Sequence, residues 1–195
     1  MLSRRACSGF SLVELMVAIG IFSILTALAM PSFSDVIQDA QVRAAAQSIT
    51  SGLQLARAEA IRRNVSVRFE LPNTLGGASV DGGTDWTIQA DDGLTPAAAS
   101  YTVAVDSRTG TESSKNARVG VKNANNFVTP APAITAPTVV TFTALGRVST
   151  PGRQIDVTNA VRVAARRLSI TVSAGGQVRL CDPKLQIDTN PQGCA

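Results

Sequence analysis

Phe10–Met30 reads FSLVELMVAIGIFSILTALAM, a run whose one charged residue is Glu14. As a helix rising about 1.5 Å per residue it spans roughly 30 Å, the thickness of a bilayer's hydrocarbon core. Ahead of it, MLSRRACSG is short and polar, and Arg4 and Arg5 favour a cytoplasmic location for that flank. The competing reading is a cleaved secretory signal. Against it, the run is longer than the usual apolar region of a signal peptide, and no small-residue cleavage site closes it before Pro31. A lipoprotein signal fails as well, because Cys7 precedes the apolar run. An ionised carboxylate at a membrane helix centre costs about 2.5–3.5 kcal/mol, so Glu14 marks a functional position, and no Lys or Arg in the run can partner it.

The chain has 195 residues, enough for one domain with a core. Hydrophobic residues make up 45% and charged residues 16%, below the roughly one quarter charged of soluble domains. The apolar content is therefore concentrated, and Phe10–Met30 is where. Histidine is absent, which removes Ser-His-Asp and Cys-His nucleophiles, histidine acid/base work and most catalytic zinc sites. Cys7, Cys181 and Cys194 show no C-x-x-C spacing, and there is no phosphate-cradling glycine motif. Ser114-Lys115 is a poor nucleophile pair, since nothing around it in sequence lowers the lysine's pKa. The expectation is a chain with no enzymatic activity, no cofactor and no metal.

Beyond Pro31 the helical period continues. Phe33, Ile37, Ala40 and Ala44 form one apolar stripe, and Ile49, Leu53, Ala56 and Ala60 a second, offset from it. Asp39 with Arg43 and Glu59 with Arg63 have the spacing of outer-face ion pairs. Asn64 is a plausible stop. Such a helix, from Phe10 to Arg63, is roughly 80 Å long. A domain of this size cannot bury such a rod, so half of it must meet lipid or other subunits.

Gly9-Phe10-Ser11-Leu12-Val13-Glu14 resembles the class III signal of type IV prepilins and type II secretion pseudopilins. In those proteins a prepilin peptidase cuts after the glycine and methylates the new N-terminus. The resemblance implies cleavage between Gly9 and Phe10, methylation of Phe10, and a Glu14 that meets the Phe10 ammonium of a neighbouring subunit. Pro31 is similar to the proline of type IV pilins; it implies a helix break after the lipid-facing stretch and favours the pilus side of the family. Further on, LQLARAEAIRRN followed by the alternating VSVRFEL resembles the GspH/FimT branch of minor pilins and pseudopilins.

From Val65 the signals are strands and turns: Val65–Leu71, Trp86–Ala90, Tyr101–Val105, Val139–Thr143, Gln154–Val157 and Arg167–Val172, with Gln177–Cys181 as a hairpin partner after Gly175-Gly176. Residues 72–138, rich in Gly, Ala, Thr, Asn and Pro, read as long loops around two or three strands. The expected fold is α+β and pilin-like, a long N-terminal helix packed on a C-terminal antiparallel sheet domain. Its expected divisions are a leader over 1–9, a transmembrane helix over 10–30, an amphipathic continuation over 31–64 and a periplasmic β-rich domain over 65–195. The implied location is the bacterial inner membrane, crossed once. The implied partners are prepilin peptidase and other major and minor pilins or pseudopilins.

Losing the leader would leave Cys181 and Cys194 as an even pair, and in an oxidising periplasm the default is one disulfide; two free thiols are the alternative. FimT- and FimU-type minor pilins are similar in ending with such a loop. Charge is uneven: Glu70 to Glu112 holds seven acids and one base, whereas seven bases face three acids after residue 140. Some FimT-like minor pilins capture DNA in natural transformation through a Gly-Arg-x-Arg stretch. Here the matching residues are Gly176-Gln177-Val178-Arg179, with glutamine at the first arginine position. Arg179, Lys184, Arg147, Arg153, Arg166 and Arg167 are accordingly candidate phosphate contacts. A solvated cationic face, or one paired with acids of the next subunit, is the competing reading. Two functions thus stand beside the pilus subunit: an H-type pseudopilin of protein secretion, and a DNA-binding minor pilin.

Overall fold

In the computed structural model, which describes residues 10–80, 82–94, 99–112, 114–123, 138–149, 153–161 and 166–194 (the side chains of 28–32, 112, 121–123 and 153 excepted), Ser11 opens the helix. Its hydroxyl accepts the Glu14 N–H at 3.2 Å, the N-cap arrangement that satisfies an otherwise unpaired amide of the first turn. Helix α1 then runs from Leu12 to Arg63. It stops at Asn64, which takes a left-handed φ of 55°, a conformation asparagine tolerates better than most residues.

Two compact units divide the chain, Met1–Ile37 and Gln38–Ala195. In the first, every described side chain from Phe10 to Ala27 is exposed. The hydroxyls of Ser23 and Thr26 turn back onto the carbonyls of Ile19 and Phe22, each at 2.8 Å, so these two polar groups are satisfied within the helix. Among the described residues no helix is long and apolar enough to cross a membrane; the described side chains of the apolar run end at Ala27. The helix break expected at Pro31 is corrected: α1 continues through it. A proline removes one N–H from the ladder, and the turns on either side keep theirs.

Among its described residues the second unit contains two larger sheets and a two-stranded ribbon. The first has the order β5-β4-β1-β7, from β1 (Val67–Leu71), β4 (Trp86–Ala90), β5 (Val103–Arg108) and β7 (Thr138–Phe142), all antiparallel. The other has the order β11-β10-β9-β8-β6, from β6 (Ala117–Asn123), β8 (Arg153–Asn159), β9 (Leu168–Val172), β10 (Val178–Gln186) and β11 (Gly193–Cys194). Its other pairings are antiparallel, as expected of the sheet domain, and the short pair of β10 with β11 is parallel. A two-stranded ribbon joins β2 (Thr74–Leu75) to β3 (Ala78–Ser79).

Alternation in β1, β4 and β7 sends every second residue into the core. Phe69 and Trp86 meet there with ring centroids 5.8 Å apart. Opposite them lies the buried stripe of α1, which runs Val42, Ala45, Ala46, Ile49, Leu53, Ala56 and Ala60. The stripe expected from Ile49 to Ala60 is present. Its expected forerunner is corrected: Phe33 and Ile37 are exposed, and burial begins at Val42, where the sheets begin to cover the helix. Gly52 sits mid-helix because a Cβ there would come within 2.8 Å of the Phe69 ring; close approach offsets the roughly 1 kcal/mol that helical glycine costs.

Polar bonds fasten this half of the helix. Gln38 accepts the side-chain N–H groups of Asn116 at 3.2 Å and Asn159 at 2.7 Å. Nearer its C-terminus, the Arg57 guanidinium donates to the carbonyls of Gly146 at 3.2 Å and Gly175 at 3.4 Å. Arg57 thereby holds two turns at once, the one after β7 and the β9–β10 hairpin.

Candidate functional site

Glu14 occupies the third position of α1, in its first turn and exposed. There the carboxylate faces the positive end of the helix dipole, a local role that the sequence reading did not assign. Phe10, 81% exposed, precedes the helix, and Gly9 lies outside the described residues. Residues 1–8, with Arg4, Arg5 and Cys7, do too.

At the other end of the chain, Cys181 and Cys194 are joined by a disulfide with a Cα–Cα distance of 5.1 Å. Arg179, two residues before Cys181 on β10, turns its guanidinium onto this loop, donating to Pro191 at 2.8 Å and to Gly193 at 3.0 Å. Both acceptors are main-chain carbonyls, so the cation serves the loop's backbone and is only partly exposed.

The other candidate cations are placed differently from one another. Arg166 donates through Nε to Asp182 at 3.1 Å, while its main-chain N–H bonds Asp39 at 3.0 Å. Asp39 therefore bonds a distant backbone, and the ion pair expected with Arg43 is corrected; Arg43 is exposed with no ion pair among the described residues. Arg167 is buried against Asp156, which also accepts from Ser169 and from Gln154. Its place in an exposed phosphate patch is corrected: burial next to a carboxylate neutralises it. Lys184 and Arg147 are exposed. Arg153 lies in β8 with its side chain outside the description. Of the five candidates with described side chains, Arg167 is buried and so does not share an exposed face with the others.

Sequence reasoning missed Asp85. Buried just ahead of β4, its carboxylate accepts from the amides of Gly76 and Gly77, each at 2.9 Å, and Gly110 at 2.7 Å, and from the Thr74 hydroxyl at 2.8 Å. Burial alone would raise its pKa, but these four donors prevail and hold it below the ordinary carboxylate value. A signal was available: Gly76 and Gly77 both have φ above zero, 62° and 82°, the Gly-Gly turn of a two-residue hairpin. On α1, the hydrogen bond from Arg62, then that from Arg63, lowers the Glu59 pKa to about 2; the expected Glu59–Arg63 pair is present at 2.6 Å and Arg62 joins it at 2.7 Å. Ser114 is buried and bonds the Gly110 carbonyl at 3.3 Å, and Lys115 is exposed.

Residues 45–176 match the family described as Type II transport protein GspH, a stretch covering most of the chain. The chain belongs to the GspH family. Residues 4–30 match the prokaryotic N-terminal methylation motif. GspH-family chains with this motif are minor pilins and pseudopilins, structural subunits that mature through prepilin peptidase and assemble with other pilins. In this member the GspH match takes in the buried stripe of α1 from Ala45 and both sheets up to Gly176, stopping before β10 and the disulfide loop. Among solved structures the chain is similar to the type IV minor pilin FimU of Pseudomonas aeruginosa, at 19% identity over 79% of this chain and 95% of that one, with a TM-score of 0.49. It is also similar to the minor pseudopilin EpsH of the Type 2 Secretion System of Vibrio cholerae, at 14% identity over 74% and 99%, with a TM-score of 0.45. No curated protein matches it.

Proposed function

We propose that this chain is a non-enzymatic minor subunit of a type IV pilus, anchored in the inner membrane by Phe10–Met30 with residues 65–195 in the periplasm. The observation that carries this reading is the methylation motif over 4–30 leading directly into one helix, whose described side chains from Phe10 to Ala27 are all exposed. Such a surface is covered by lipid before assembly and by other subunits after it. Cleavage between Gly9 and Phe10 creates an ammonium, which methylation leaves charged. Glu14 pairs with that group on a neighbouring subunit, so a charge unfavourable in lipid becomes a reason to assemble.

Intact mass after co-expression with a prepilin peptidase tests the cleavage; a mature N-terminus other than Phe10 defeats the reading. Glu14→Ala should insert in the membrane and fail to enter sheared filaments. The second reading is a type II secretion pseudopilin, which the family's own description favours. Pro31 and the C-terminal disulfide loop weigh for the pilus. Deleting the gene in a strain carrying both machineries, then scoring twitching against secreted enzyme, separates the two. DNA capture has less support, since Arg166, Arg167 and Arg179 already have partners. Of the candidate cations with described side chains, Lys184 and Arg147 are the two that are exposed.

A further inference from the structure

Arg43 of α1 faces β9, β10 and the end of the disulfide loop across a cleft of about 300 Å³, lined also by Gln47, Arg166, Leu168, Asp182 and Gln192. Its two guanidinium groups are unlike in their attachments. Arg166 is held from two sides, its main-chain N–H by Asp39 at 3.0 Å and its Nε by Asp182 at 3.1 Å. That leaves its terminal nitrogens without a hydrogen-bond partner among the described residues. Arg43 makes no hydrogen bond or ion pair among them and is exposed. Opposite, Asp182 is occupied: besides Arg166 Nε it accepts the Lys184 main-chain N–H at 2.9 Å. Gln47 and Gln192 add exposed amide groups at the rim. The cleft therefore has donors to spare, two cations and one carboxylate already engaged.

We propose that this cleft binds the carboxylate of an acidic side chain presented by a neighbouring filament subunit, a proposal that rests on reading the chain as such a subunit. Among the lining residues two cations face one carboxylate, Asp39 lying outside the lining and accepting the Arg166 main-chain N–H, and two guanidinium forks suit bidentate recognition of an incoming carboxylate's oxygens. A duplex backbone fits less well. It presents a row of phosphates and needs an extended cationic track, whereas this is a concave depression with Asp182 in its wall. Leu168 gives the methylenes of an aspartate or glutamate an apolar contact. The disulfide and Arg179 matter here indirectly, because they hold the loop that carries Gln192.

The test uses the full chain in detergent micelles and follows the arginine Nε–Hε NMR signals. The probes are a blocked Gly-Glu-Gly tripeptide, its Gly-Gln-Gly counterpart, inorganic phosphate and duplex DNA. The Glu peptide should produce saturable shifts at Arg43 and Arg166 that the Gln peptide does not. Arg43→Gln, whose exposed position leaves the melting temperature unchanged, should weaken the Glu peptide about tenfold, the worth of a charged hydrogen bond; Arg43→Lys should lose less. Equal shifts from the two peptides, or wild-type affinity in Arg43→Gln, overturn the proposal. Tighter binding of phosphate or duplex DNA than of the Glu peptide at this cleft also overturns it, in favour of a nucleic-acid contact. In cells, absence of the wild-type chain from sheared filaments would defeat the subunit reading itself. Wild-type chain in filaments with Arg43→Glu incorporated equally well would defeat the cleft alone; reduced incorporation of Arg43→Glu at equal cellular abundance supports it.

Discussion

The guanidinium of Arg179 donates to the carbonyl of Gly193 at 3.0 Å, joining β10 to β11 beside the Cys181–Cys194 disulfide. An arginine that by sequence resembles a phosphate contact is thus used as a backbone clamp. Arg179→Ala should destabilise the folded chain by about 1.5–3 kcal/mol, the range for hydrogen bonds made by charged groups. Chemical denaturation of the full chain in detergent measures it. Any salt-dependent retention on duplex DNA should follow Lys184→Ala and Arg147→Ala more than Arg179→Ala; the reverse order would restore Arg179 to a phosphate-binding role.

Reduction of the disulfide, or Cys181→Ser with Cys194→Ser, should lower stability by about 3 kcal/mol, as loop-closure entropy predicts for a loop of this length. For a chain of this size that corresponds to a fall of about 6–12 °C in Tm. Thermal denaturation with and without reductant reads it directly, and an unchanged Tm would mean that Arg179 and the β10–β11 pairing hold the loop by themselves.

Asp85→Ala removes the acceptor of three main-chain amides and one hydroxyl. Buried donors left without a partner cost about 1–3 kcal/mol each, so a loss of at least about 3 kcal/mol is expected. Asp85→Asn keeps one oxygen and should lose less. Amide hydrogen exchange at Gly76, Gly77 and Gly110 should accelerate most. If it does not, the carboxylate is not what orders these turns.

Stability should fall in acid, with a defined sign. Glu59 is lowered from 4.5 to about 2 by Arg62 and Arg63. Asp85 also lies below its ordinary 3.8. A carboxylate whose pKa is depressed by folding stabilises the folded state above its unfolded value, and that contribution disappears as pH falls through the folded value. Denaturation midpoints should therefore be level above about pH 4.5 and decline from there towards pH 2. Glu59→Gln should flatten part of that decline, and a profile identical to wild type would remove Glu59 from the account.

Much of the architecture follows from local pattern. An uninterrupted apolar run with one acid, the 3.6-residue stripe from Ile49 to Ala60 and the period-two alternation of Val67–Leu71 and Trp86–Ala90 are written in near neighbours, and near neighbours decide whether a segment becomes helix or strand. The signal around Gly9, Phe10 and Glu14 is legible for the same reason. Where the sequence reading fell short, the deciding partner is distant. Strand β6 lies in the stretch that reads as long loops, because Gly120 and flanking charges weaken its pattern, and its pairing with β8 supplies what its composition lacks. Pro31 reads as a break one residue at a time, yet the helix on both sides carries the chain through it.

Cations show the division most clearly. A count of arginines after residue 140 shows that they are numerous and says nothing of what each one meets. The register that sets Asp156 opposite Ser169 brings Arg167 to a buried carboxylate. The fold brings Asp39 of α1 to the Arg166 backbone and leaves Arg43 without an ion pair among the described residues. Sequence by itself determined a long N-terminal helix opening on an apolar run, an N-terminal methylation motif and a set of strands, because those depend on periodicity and spacing. Only the tertiary structure decided which charges are neutralised, which hold the backbone and which remain for a partner, because ion pairing acts over a few ångströms between residues far apart in the chain.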